Sequence, residues 1–175
     1  MKITFNQQFD SERMRQYINQ DPSVLHCHHY ATLYTKLALD MQELQAPRLL
    51  SESMEEAMYT VFKKYFVCDN ISSLQDKIKV TEEIFRLTGL GLLEIRFNSE
   101  RGSAVMKHSH LDEGWIKKWG HAKHPVNFTG QGYIAAAFAV ISDEWIGSYE
   151  VKEIKSIVCG DSFSEFSVQK KDGRN

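Results

Sequence analysis

Residues 89–110 read GLGLLEIRFNSERGSAVMKHSH, and within this stretch the period of the apolar residues changes. Just upstream, Leu74, Ile78, Val80, Ile84, Phe85 and Leu87 recur at helical spacing. From Leu92 the pattern alternates: Leu93, Ile95 and Phe97 fall on one side and Leu92, Glu94 and Arg96 on the other, the period of a half-exposed strand. Residues 98–102 supply a turn, and residues 104–110 resume as a strand carrying Met106, His108 and His110 on one face, so a hairpin is expected. Gly89 and Gly91 stop the preceding helix.

Working outward, the upstream half is helical. His26, His29, Tyr30, Leu33 and Leu37 predict a helix over residues 25–44, opened by Asp21-Pro22. Pro47 interrupts, and Ser53 with Glu56 three residues later forms a capping-box pattern for a second helix to about Phe66, with Met54, Met58, Val61, Phe62 and Tyr65 as its stripe. Ile3 and Phe5 suggest an edge strand or an arm, and residues 1–24 are read as an N-terminal arm. Downstream, Asp112 is placed to cap a short helix with Trp115, Ile116 and Trp119, and Ala135, Ala136, Ala137 and Ala139 mark a closely packing helix over residues 129–141. Residues 145–158 and 163–168 form a second hairpin with Gly160-Asp161 at its turn, followed by a polar tail, 169–175, expected to fray. Helices, hairpin, helices, hairpin describe an α+β domain: an antiparallel sheet packed against helices, as one domain over residues 1–175.

Composition narrows the function. The chain has 175 residues, 21 basic and 23 acidic side chains and a net charge of −2, so it carries no basic footprint for nucleic acid. A hydrophobic content of 42% with 25% charge is that of a folding chain. Three cysteines without CxxC spacing speak for a reducing compartment and against a disulfide framework or zinc ribbon. The start lacks a secretion signal and the longest apolar run is too short to span a bilayer, so a cytoplasmic protein without membrane attachment is expected.

Seven histidines are the compositional oddity: His26, His28, His29, His108, His110, His121 and His124. On a helix, His26, His29 and Tyr30 share a face while His28 points elsewhere; on a strand, His108 and His110 lie together. The chemistry admits a metal site formed by His26, His29, His108 and His110, polar groups satisfied within the core edge, or imidazoles and phenols at the mouth of an apolar pocket that orient a ligand. Trp115, Phe128 and Tyr133 are among the aromatics available to line such a pocket, most of which will be core. No phosphate-cradling loop and no nucleophile elbow occur.

The C-terminal third carries a resemblance. His124-Pro125-Val126-Asn127-Phe128-Thr129, then Gly132-Tyr133-Ile134-Ala135, Tyr149-Glu150-Val151 with Glu153, and Gly160-Asp161 with Phe166 resemble the 4-vinyl-reductase-type, hydrocarbon-binding small-molecule-binding domain, over about residues 92–168. That resemblance implies the fold shared by nitric-oxide signalling and Golgi-transport proteins, a homodimer, and a buried apolar pocket between helices and sheet. In hydrocarbon-sensing relatives it also implies a zinc ion held by three cysteines and a glutamate. Here those positions fall on Asn127, Ser156 and Ser164, and only Glu153 keeps its type. Asn and Ser lack the thiolate that binds zinc tightly, so hydrogen bonds are expected in its place and no cofactor is expected.

The reading is a stand-alone, non-catalytic binding or sensor domain for an apolar or aromatic molecule. Its ligand-binding candidates are His26, His29, Tyr30, Met106, His108, His110, Trp115, Phe128 and Tyr133. A separate output protein is a further expected partner. The alternatives are a histidine-based metal-dependent enzyme or reductase-type protein, and a structural subunit like the tethering proteins.

Overall fold

The computed structural model describes residues 6–24 and 26–172. In chain order these form β1 (Gln7–Asp10), β2 (Arg15–Ile18), β3 (Asp21–Ser23), α1 (His28–Asp40), α2 (Ala46–Cys68), α3 (Leu74–Leu87), β4 (Gly91–Arg96), β5 (Arg101–Ser109), α4 (His110–Trp119), α5 (Phe128–Ile141), β6 (Tyr149–Lys155) and β7 (Ser164–Lys170). Helix α5 explains the architecture. Its sequence, FTGQGYIAAAFAVI, is apolar or small on every side, and such a helix must lie between two layers. One layer is α2 with α3; the other is the antiparallel sheet of order β4-β5-β7-β6, both of whose hairpins follow the alternation of their residues. In β7, Ser164, Phe166 and Val168 are buried while Gln169 is exposed, the period-two signature of a sheet covered on one face. The expected α+β class and sheet-on-helix packing are therefore present.

Close approach between α2 and α5 depends on Gly132: a Cβ there would sit 2.1 Å from the Ser51 carbonyl oxygen. Phe62, Phe85 and Tyr133 meet edge to face beneath it, and the buried Tyr133 hydroxyl donates to the Thr81 carbonyl at 2.6 Å, tying α5 to α3.

Several boundaries differ from the sequence expectation. The first helix starts at His28, not at residue 25, because Cys27 holds an extended backbone as its N-cap; His26 therefore precedes the helix and does not share its face. That helix ends at Asp40, with a 3-10 turn at Gln42–Leu44 and a left-handed Gln45 before α2. Pro47 does not interrupt but sits in the first turn of α2, where its missing N–H has no intrahelical partner to lose, and Ser53 and Glu56 lie inside that helix. Residues 1–24 were expected as an arm; the described part of this segment is the three-stranded sheet β1-β2-β3, while Ile3 and Phe5 lie outside the described residues. At the other end β7 continues through Gln169 and Lys170, which pair with Arg101 and Tyr149, past the expected start of the tail.

The most consequential difference is in β5. Leu92 pairs with His108 but Leu93 pairs with Met106, so Lys107 is an extra residue in a bulge. A bulge of one residue inverts the alternation beyond it. Met106 therefore points into the core, His108 points to solvent, and Ser109 points inward again. His110 leaves the strand to begin α4, whose cap is Ser109, not Asp112: the Ser109 hydroxyl accepts from the Asp112 amide at 3.2 Å.

Candidate ligand-binding site

A slot runs between α2, α3 and the N-terminal ends of α4 and α5. Met54, Phe85, Leu90 and Tyr133 form its apolar wall; Ser109, Asn127 and Thr129 form its polar end. The slot encloses about 250 Å³ including its mouth. Its interior leaves room for about one water molecule, so a ring-sized ligand enters only if a side chain swings aside, and the unbranched Met54 is the side chain built to do so. Thr129 is the telling lining residue: its hydroxyl is buried and has no hydrogen-bond partner. Buried hydroxyls are normally satisfied, and this one is left open beside the apolar wall of the slot.

Behind the polar end lies a buried nest. The Asn127 side-chain amide donates to Ser109 Oγ and to Asp112 Oδ2, each at 3.2 Å, and Ser164 Oγ donates to the same Asp112 oxygen at 3.1 Å. The Asn127 backbone N–H donates to Glu153 Oε2 at 3.2 Å, while its side-chain oxygen caps α5 by accepting from the Gly130 amide at 2.8 Å. Ile157 N–H donates to Ser164 Oγ at 3.0 Å. One residue thus ties the α5 N-terminus to α4 and to the β6 edge. Burial raises the Glu153 carboxyl to about 7, helped by the nearby Asp112 charge and opposed by Ser156, Ser164 and the Asn127 amide. Burial likewise raises Asp112, against the pull of Ser109, Ser164 and Asn127. Asp112 Oδ1, Glu153 Oε1 and Ser156 Oγ remain without partners; Ser156 lies near enough to Glu153 to lower its pKa, yet outside hydrogen-bonding geometry.

Asn127, Glu153, Ser156 and Ser164 stand at the four positions to which the sequence resemblance assigns zinc ligands. One carboxylate, one amide and two hydroxyls do not fit a tightly held structural zinc, which takes thiolate and imidazole, and the amide and Ser164 are already engaged with Asp112. Among the described residues no group of three His, Cys, Asp or Glu side chains is placed to hold a metal ion.

The sequence-predicted site residues scatter. Tyr133 lines the slot, and Met106 lies fully buried beside the nest, its sulfur 3.7 Å from the Asn127 amide. His26 and His110 line a neighbouring cleft with Val24, Thr88 and Leu90, and Leu90 also lines the slot. His108 is exposed, its Nδ1 3.5 Å from Glu113, and the bulge explains why it never meets His110. His29 and Tyr30 lie on the exposed side of α1, where the Tyr34 hydroxyl donates to that of Tyr30 at 2.6 Å. Trp115 and Phe128 belong to a separate apolar cluster with Val126 and Val158. His28, expected to face away, instead lies against His110 with ring centroids 5.8 Å apart. Sequence reasoning had set Asn127 aside as a lost zinc ligand and did not single out Thr129, Ser109, Phe85 or Leu90 as lining. The one available signal was Asn127-Phe128-Thr129 immediately before a small-residue helix, a polar cap entering an apolar element.

The solved structures supply the comparison. Superposed on the phenol-responsive sensory domain of the transcription activator PoxR with phenol, 94% of this chain matches 84% of that chain at a TM-score of 0.77 and 12% identity. The chain has the fold of that sensory domain. It also matches subunit 3 of a trafficking protein particle complex from Naegleria fowleri, covalently bound to palmitic acid, with 83% of this chain and 95% of that chain covered at a TM-score of 0.54 and 13% identity. Both likenesses support the fold that the resemblance implied, one from the sensory side and one from the transport side. No family model matches the chain, and no curated protein matches it by sequence.

Proposed function

We propose that this protein is a non-catalytic small-molecule-binding or sensor domain that takes a single-ring apolar molecule bearing one hydroxyl into the slot. The observation that carries the reading is the unpartnered, buried Thr129 hydroxyl at the polar end of a slot walled by Met54, Phe85 and Tyr133. The slot is narrow, with interior room for about one water molecule, which favours one ring over larger ligands and requires a lining side chain to move on binding. The likeness to a phenol-responsive sensory domain supports the ligand class. Affinity comes from apolar burial at roughly 25 cal/mol per Å², and selectivity from the hydroxyl pairing with Thr129. The reading needs no metal or cofactor, since Asn127, Ser164 and Asp112 join α4, α5 and β7 by hydrogen bonds.

The domain works as a homodimer. Tyr30, Leu33, Tyr34, Leu37 and Met41 on α1 and the turn after it, with Leu44, form an apolar stripe between 39% and 64% exposed. The stripe is a contiguous exposed apolar face, of the kind that marks a protein–protein contact, and a second copy of the chain covers it. Free, exposed Cys27, Cys68 and Cys159 suit a reducing cytoplasm, and no helix among the described residues is long and apolar enough to cross a membrane.

Calorimetric titration of the purified protein with phenol, methylphenols and toluene tests the reading. Saturable binding, lost when Met54→Trp fills the slot, is the expected result, with the ligand recovered unchanged. Binding that survives Met54→Trp places the ligand elsewhere and overturns it.

A further inference from the structure

Three histidine rings meet where two helices begin, and a fourth lies beside them on the exposed side of α1. His28 and His29 open α1 and His110 opens α4, while His26 lies in the extended segment before α1. The His110 ring stands 5.7 Å from that of His26 and 5.8 Å from that of His28, and His28 stacks on His29 at 4.2 Å. His28 Nε2 is buried with no partner. Helix N-termini carry partial positive charge, so imidazolium at the first positions of both α1 and α4 opposes two macrodipoles as well as its neighbours. The helices are also held close at this point: a Cβ on Gly114 of α4 would lie 2.7 Å from the His28 Cβ, so the seam has no slack with which to separate the rings.

We propose that this seam is a proton-sensitive joint: with its imidazole neutral, His110 packs against the rings of His26 and His28 and α1 seats on α4, and a proton on His110 drives the two helices apart. Of the charged groups around the cluster, Glu113 acts on His110 and Lys117 and Lys118 act on His29, all from α4, while His108 of β5 reaches Glu113 and not the rings. Lys117 and Lys118 add to the repulsion at His29; the Glu113 carboxylate offsets it at His110, and His108 competes for that carboxylate at 3.5 Å. In the folded protein His110 is held below its ordinary value of 6.5 by burial first and then by His26 and His28; His29 is lowered too, by loss of hydration, His28 and the two lysines. A lowered folded value means the unfolded state holds more protons, so the stability of the seam is intact above 6.5 and is lost as pH falls through the folded value. Because Leu90 is shared by the cleft and the slot, loosening the seam also lowers ligand affinity; this consequence alone rests on the proposed function.

Whole-protein melting does not isolate the effect, because the raised carboxyls of Asp112 and Glu153 shift stability in the opposite direction. The local reporters are Trp115 and Trp119 on α4, read alone in full-length protein in which the exposed Trp145 is replaced (Trp145→Phe). Taking that protein from about pH 7.5 to about pH 5.5 should red-shift its tryptophan emission with a midpoint below 6.5, and His28→Gln with His110→Gln should abolish the shift. An unchanged emission, or a shift that persists in the double variant, overturns the proposal. Should the double variant lose its far-ultraviolet dichroism, histidine NMR on the unsubstituted chain decides: His110 titrating at or above 6.5 overturns the proposal, and titration below it with parallel loss of α1 amide signals upholds it. Ligand binding measured at about pH 7.5, where the joint is closed, is independent of this outcome and tests the slot separately.

Discussion

Asn127 shows how much one buried side chain organises. Its amide reaches Ser109 and Asp112, its oxygen caps α5, and its backbone N–H meets Glu153, so one residue joins elements far apart in sequence. The carboxyl it meets provides a pH test. Glu153 titrates at about 7 in the folded chain against an ordinary 4.5, so its contribution to stability is fully present below 4.5 and is lost as pH rises through 7. Glu153→Gln removes that loss: the variant is expected to gain on the order of 1–3 kcal/mol relative to the parent at about pH 8 and nothing at about pH 4.5, as read from urea unfolding at each pH. Equal pH slopes for the two proteins would show that Glu153 is not the group responsible. Positions 127, 153, 156 and 164 were singled out in the sequence by the family resemblance, as metal-ligand positions of which only Glu153 keeps its type. The partnership with Asp112 was not, because Asp112 reads as an ordinary helix cap and its burial depends on the fold.

At the level of elements, helix α5 and both hairpins were legible because their periods are unambiguous, whereas the expected histidine grouping kept His26 beside His110 and lost His29 and His108 to the surface. The bulge at Lys107 carries no compositional mark, yet it sends His108 outward and hands His110 to α4. The start of α1 at His28 had a similar effect, moving His26 off the helix and bringing His28 into the seam. Two expected outcomes follow. His108→Ala should leave ligand binding and metal content unchanged, because the ring faces solvent; a change in either would restore the metal reading. Gly132→Ala places a methyl 2.1 Å from the Ser51 carbonyl, against backbone that cannot move alone, and should cost about 2–3 kcal/mol in chemical denaturation or prevent folding. A variant as stable as the parent would contradict the close α2–α5 packing.

For the whole molecule, the layered fold places a small apolar slot between α2, α3 and α5, a hydrogen-bonded nest behind it and an apolar stripe on the opposite helix α1. The stripe predicts assembly. Leu37→Glu at its centre should convert a dimer into a monomer in light scattering while leaving the circular dichroism unchanged; an unsubstituted chain that is monomeric at micromolar concentration would refute the interface. The central claim is that Thr129 reads the hydroxyl of a ring held in the slot, and the most direct measurement is the binding of phenol and of toluene to the parent and to Thr129→Val, which keeps the shape and removes the hydroxyl. The account predicts that phenol loses about tenfold in affinity, the worth of one hydrogen bond, while toluene is unaffected. Equal losses for both ligands, or no binding of either to the parent chain, would contradict it.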